Sequence, residues 1–111
     1  MIEITIKNHM AERLGVPIFF ELPSRPPGTF VVLKVSGNGR ENLLDAATLV
    51  ADSYGPSLLA AAELNDRVKT ALDELADLPQ ISSSRRAGDY PAFDTQNKKY
   101  RYQAVQNITH Y

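Results

Sequence analysis

The chain has 111 residues, 43% of them hydrophobic and 23% charged, with a formal net charge of −1. That length suits one domain, residues 1–111, with one core, and the near-neutral charge argues against a generic nucleic-acid binder. Cysteine is absent, which excludes disulfides, thiolate zinc sites and cysteine nucleophiles, and neither an apolar run of the ~18 residues a membrane span needs nor a signal peptide is evident, so the expectation is a small soluble domain, intracellular or bound in an assembly.

Ile2, Ile4 and Ile6 alternate with polar residues as in a strand, whereas Ile2, Ile6, Met10 and Leu14 recur every four residues as in a helix. The helical spacing also accounts for Asn8 to Leu14, so a helix over about residues 3–14, ending at Gly15, is predicted. Val16 to Leu22 reads as a first strand, with Pro17 at its start or on an edge because proline cannot donate to a ladder. Pro23 to Gly28 is a stiff loop. Thr29 to Val35 is a nearly continuous apolar strand of the kind that is covered on both faces. Asn38-Gly39 then marks a hairpin turn. The alanines between Leu43 and Tyr54 would suit a helix, but a return strand is the simpler continuation after a hairpin.

Gly55-Pro56-Ser57 breaks the chain and opens a helix, with Ser57 as a cap. Leu58, Ala61, Leu64, Val68, Ala71, Leu72 and Leu75 fall at three- and four-residue steps, predicting about five turns that stop near Pro79. Gln80 to Arg86 is a polar strand, and Ala87 to Asn97 is a long loop exposing Tyr90 and Phe93. In the last strand Tyr100, Tyr102, Ala104 and Ile108 share one face, opposite Lys99, Arg101, Gln103, Asn107 and Thr109. The order α-β-β-β-α-β-β means an α+β fold, a mainly antiparallel sheet with two principal helices on one face.

Catalytic patterns are missing. Gly37-Asn38-Gly39 lacks the Gly-Lys-Ser/Thr of a phosphate loop, and His9 and His110 have no partners in metal-ligand spacing. Ser36, Ser53 and Ser82 to Ser84 lack a nucleophile-elbow context. Asp45 and Asp52 lie at odd separation on one strand, so they point to opposite faces and cannot form a carboxylate pair. No enzyme, cofactor or metal is expected. Arg85, Arg86, Tyr90, Phe93, Lys98, Lys99, Tyr100, Arg101 and Tyr102 interleave cations with aromatics. Three readings stand for them: the core face of the last strand, a protein–protein interface, or a single-stranded nucleic-acid module.

Several phrases, in order, carry a resemblance. They are Leu14-Gly15-Val16-Pro17-Ile18, Glu21-Leu22-Pro23 with Arg25-Pro26-Pro27, and Phe30-Val31-Val32-Leu33 closing in Gly37-Asn38-Gly39-Arg40. Ser53-Tyr54-Gly55, the Ala-Ala-Glu-Leu helix at 61–64 and Tyr100 to Val105 complete the set. Their order and spacing resemble tail terminator (tail completion) proteins, minor tail components of phages and prophages of Gram-positive bacteria. The resemblance implies a ring, usually of six subunits, on the head-proximal end of the tail tube. Its partners would be itself, the tail tube protein and a head-completion or neck protein, with no membrane and with DNA only as passing genome. It would reside in the virion tail, and in host cytoplasm during assembly. Another neck protein of the same phage module is the alternative.

Charge suggests how copies could meet. Residues 56–77 carry 2 Lys/Arg against 5 Asp/Glu, whereas residues 78–111 carry 5 against 2. An acidic helix and a basic C-terminal segment suit head-to-tail contacts between copies. The candidate interface residues are Arg25, Arg40, Arg85, Arg86, Tyr90, Phe93, Lys98 and Lys99; Arg25, Arg40, Tyr90 and Phe93 lie on the loops and hairpin tip where a rigid sheet would present binding groups.

Overall fold

The four-residue spacing decides the first element. In a computed structural model, helix α1 spans Ile2–Leu14 and buries Ile6, Met10 and Leu14. The structure describes residues 2–41, 43–94 and 99–111, with the side chains of Asn38, Glu41, Tyr90, Ala92, Phe93, Asp94 and Lys99 outside that description. Five strands follow: β1 (Ile18–Phe19), β2 (Phe30–Glu41), β3 (Leu44–Gly55), β4 (Ile81–Asp94) and β5 (Lys99–His110). Helix α2 (Leu58–Asp73) stands between β3 and β4 and runs into a 3-10 turn, Glu74–Asp77, ahead of Pro79. The order matches the α-β-β-β-α-β-β expectation. Ser57 caps α2 as its residue type suggests, its hydroxyl accepting from the Ala60 N–H at 3.1 Å.

Three expectations are corrected. The first strand shrinks to two residues and pairs parallel to β2, Ile18 with Val31 and Phe19 with Val32. Pro17 sits just ahead of it and contributes only its carbonyl, which accepts from the Val31 N–H at 3.0 Å. The Asn38-Gly39 pair is not the hairpin turn. Gly39, at φ 96°, lies where the β2–β3 register shifts, so the glycine serves a bulge. The chain reverses after Glu41 instead, and Leu43 takes φ 69° there. Finally, Ala87 to Asp94 is strand, not loop. Its backbone pairs with β5 as far as Asp94 opposite Lys99, with register shifts near Ser82 and Ala87. Pro91 is tolerated because β4 lies at the sheet edge, where its missing N–H breaks no ladder. Residues 95–97 of the expected loop lie outside the described residues.

The sheet order is β1-β2-β3-β5-β4, and every pairing except β1 with β2 is antiparallel. Both helices cover one face. There Leu33, Leu49, Ala104 and Ile108 of the strands meet Leu64, Val68 and Leu72 of α2 and Ile6 and Met10 of α1. Arg67 fastens the helices by donating to the Leu14 carbonyl, where α1 has free acceptors, at 2.5 Å. His9 adds a contact between its Nε2 and the Ala71 carbonyl at 2.8 Å.

Alternation sends Phe30, Val32 and Tyr54 to the other face, with Phe19 against them. Phe30 and Tyr54 stack at 4.5 Å, and Phe19 meets Phe30 edge-on at 5.9 Å. Strands of 12 residues at about 3.3 Å each account for the molecule's 43 Å long axis. The β2–β3 turn lies at one end, with Ile81 and His110. The last residues of β3, the first of β5 and the opening turn of α2 lie at the other. At that second end the backbones crowd: a Cβ on Gly55 would stand 2.8 Å from the Ala61 nitrogen and 3.1 Å from the Ala60 carbonyl carbon.

Candidate interaction surfaces

Strand β4 divides its side chains between two environments. Ser84 and Arg86 turn to α2. The Ser84 hydroxyl donates to the Leu72 carbonyl at 2.8 Å, and Arg86 grips Asp73 through Nη2 at 2.7 Å and Nε at 3.0 Å. Buried Gln106 of β5 completes the group, its Nε2 donating to Asp73 at 3.1 Å and to Ser84 at 2.9 Å. Lys69 of α2 pairs with Asp89 as well, and that hydrogen bond holds its pKa above the ordinary lysine value. The acidic helix and the basic segment therefore meet within one chain, where Arg86 has Asp73 as its partner in cis while 55% of its side chain stays exposed.

Partial burial raises the Asp73 pKa, but hydrogen bonds from Arg86 and Gln106 outweigh it and leave the carboxyl below its ordinary value. A depressed carboxylate pKa adds stability that is present above the unfolded value of about 4 and is lost as pH falls through the folded one. Arg86→Met is therefore expected to lower the thermal midpoint at pH 7. Its deficit should shrink as pH falls below Asp73's folded pKa. A deficit constant across the titration would reject the linkage.

On the uncovered face, Ser83 and Arg85 border a groove of about 620 Å³ whose floor includes Ala46, Thr48, Asn107 and Thr109. The floor is polar and internally bonded, Thr48 to Asn107 at 3.0 Å and Ser83 to Thr109 at 2.6 Å. Arg85 is exposed and forms no ion pair among the described residues. Further along this face lies a buried carboxylate, Asp52, with 2% of its side chain exposed. Gln103 donates to it at 3.1 Å, while Lys34 and Arg101 stand at 3.9 and 3.7 Å. The Arg101 Nε is buried with no hydrogen-bond partner among the described residues.

The remaining expected site residues are dispersed. Arg25 is exposed in the segment before β2, and Arg40 lies near the far end of that strand, paired with Asp45 at 3.3 Å. The backbones of Tyr90 and Phe93 pair with Gln103 and Tyr100, and that of Lys99 with Asp94; their side chains, and all of Lys98, lie outside the description. Asp45 and Asp52 keep separate partners, Arg40 for the first and Lys34 and Arg101 for the second. Among the described residues no three His, Asp or Glu side chains group as metal ligands, and no helix is long and apolar enough to cross a membrane. Residue reasoning did not anticipate the Asp52 and Gln106 clusters, which exist only once β3, β4 and β5 are in register.

No family model matches the chain, and no curated protein matches it. Among solved structures, a chain of the "Virion of native gene transfer agent (GTA) particle" superimposes with a TM-score of 0.70. The match covers 95% of this chain and 90% of that chain at 15% sequence identity. At that identity the similarity is one of fold.

Proposed function

We propose that this chain is a structural protein of a phage-type virion, assembling as a ring on the head-proximal end of the tail tube. There it halts addition of tube subunits and offers the surface to which the filled head attaches. The observation that carries this reading is the fold likeness to a gene transfer agent virion chain across nearly the whole of both chains. The ordered resemblance to tail terminators supports it independently. The role is one of shape and charge complementarity: one face matches the tube, and the other refuses a further tube subunit. Such a ring needs a heterologous contact, one patch meeting a different patch on the neighbour.

Light scattering after size exclusion, over a concentration series and with the tail tube protein added, tests the reading. Negative-stain images of the large species should show rings with a central hole wide enough for duplex DNA. A chain that neither self-associates nor caps the tube, and that retards single-stranded DNA with a steep salt slope, would overturn it in favour of a nucleic-acid module.

Among the described residues Arg85 is an exposed cation without an ion pair, and it borders the groove on the uncovered face. Arg85→Glu is expected to weaken assembly at low salt, with the difference shrinking as ionic strength rises towards about 1 M. Its thermal midpoint should match the parent's, since Arg85 has no ion-pair partner within the described chain. Assembly unaffected at any salt concentration would remove Arg85 from the interface.

A further inference from the structure

Among the described residues Ile4, Phe20 and Leu22 of the N-terminal segment are exposed apolar side chains, and four others lie at the two ends of the long axis. At the end holding the β2–β3 turn, Leu43 is 87% exposed and Tyr111 76%. At the opposite end, in the opening turn of α2, Leu59 is 69% exposed and Leu58 46%. Periodicity assigned Leu58 to the buried face of α2, but the first turn of that helix projects past its packing partners. The two most exposed large apolar side chains among the described residues thus face away from an exposed leucine pair on the same chain.

Leu43 is costly in a second way. It takes φ 69°, a left-handed conformation that turns fill with glycine, asparagine or aspartate. A branched aliphatic side chain there is unfavourable for the backbone and, being exposed, gains nothing from burial. Arg40 and Asp45 pair across the two strands just behind Leu43 at 3.3 Å. Burial of the Leu43 side chain by a partner would offset part of that cost.

We propose that the Leu43 tip, with Tyr111 beside it, is the donor half of a contact between copies of this chain, and that Leu58 and Leu59 of the next copy receive it. The proposal rests on the ring reading and supplies its heterologous contact. A second copy is the occupant because the same chain carries both halves, at opposite ends, where head-to-tail repetition under rotation brings each to the other. Charge does not serve as the main adhesive, since Arg86–Asp73 and Lys69–Asp89 are already closed within the chain. The apolar ends remain, and central apolar side chains dominate most interfaces.

Two variants of the full chain separate this contact from folding. Leu43→Asn suits the left-handed turn and removes the apolar tip, so its thermal midpoint should equal or exceed the parent's. Its self-association, read by light scattering, should shift to at least tenfold higher concentration. The double variant Leu58→Ser with Leu59→Ser should lose association similarly with its circular dichroism unchanged. An equimolar mixture of the two should form a dimer and nothing larger, because one intact donor and one intact receiver remain. If Leu43→Asn forms the same ring at the same concentrations as the parent, the inference fails while the ring reading stands. If the parent stays monomeric throughout, the self-contact is overturned, and capping of the tail tube alone decides the virion reading. A symmetric dimer that survives in the Leu58/Leu59 variant but not in Leu43→Asn would replace the contact with a tip-to-tip one.

Discussion

Gly55→Ala is expected to destabilise the chain by about 3 kcal/mol, towards the upper end of what overpacking costs, and to lower its thermal midpoint by roughly 10–20 °C. The added methyl would stand 2.8 Å from the Ala61 nitrogen and 3.1 Å from the Ala60 carbonyl carbon. A side chain in the way could swing aside, but these obstacles are backbone atoms in the first turn of α2. That turn is fixed by the Ser57 cap and by the Ala61 N–H donating to the Ser57 carbonyl at 3.0 Å. Relief therefore requires α2 to lift from the end of β3, thinning the packing of Leu64 and Val68 behind it. Gly28→Ala is the control: its Cβ would meet nothing within 4 Å, so a change within about 0.5 kcal/mol is expected. Urea unfolding of both variants reads the difference, and equal stabilities would show that the close approach is not structural.

Arg101→Met should cost about 1–3 kcal/mol, and Asp52→Asn distinctly less. The asymmetry follows from exposure. Asp52 has 2% of its side chain exposed, whereas Arg101 has 33% and Lys34 61%. Removing the arginine strands a carboxylate that cannot reach water, with Lys34 at 3.9 Å and a single hydrogen bond from Gln103. Removing the carboxylate frees two cations that can turn outward, and an asparagine oxygen can still accept from Gln103. The double variant should therefore be more stable than Arg101→Met alone, a non-additive cycle measurable by denaturant unfolding. Additive losses would mean that Arg101 contributes through its aliphatic stem and not through Asp52.

What was legible in the chain depended on how local the governing interaction is. The period of Leu64, Val68, Leu72 and Leu75 and the cap at Ser57 are properties of neighbouring residues, and α2 forms where they predict. The preference for a return strand after a hairpin placed β3 correctly despite its alanines. Asn38-Gly39 misled because a left-handed glycine serves a bulge as readily as a turn, and the choice depends on where β3 pairs. The segment 87–94 looked like loop because Gly88 and Pro91 weaken a strand; β5 supplies its partners, and an edge position spares the proline. The Asp52 and Gln106 clusters were hidden for the same reason. Each joins side chains distant in the chain through a register that no short motif encodes. The charge asymmetry was real, but counting could not reveal that Asp73 and Arg86 would meet in cis.

The strand order also governs how the chain reaches its fold. The β2–β3 and β4–β5 hairpins pair residues close in sequence and can form independently within microseconds. They become one sheet only when β3 finds β5, pairing Gly55 with Tyr100 and Asp45 with His110. That closure spans α2 and all of β4, so its loop entropy must be met before any of the contacts it brings is gained. Until then each half carries an apolar face without its full cover, and the two halves are the natural units of early folding. Joining them is expected to limit the folding rate, so in stopped-flow refolding substitutions in the β3–β5 seam should slow folding more than those at the outer edge strands.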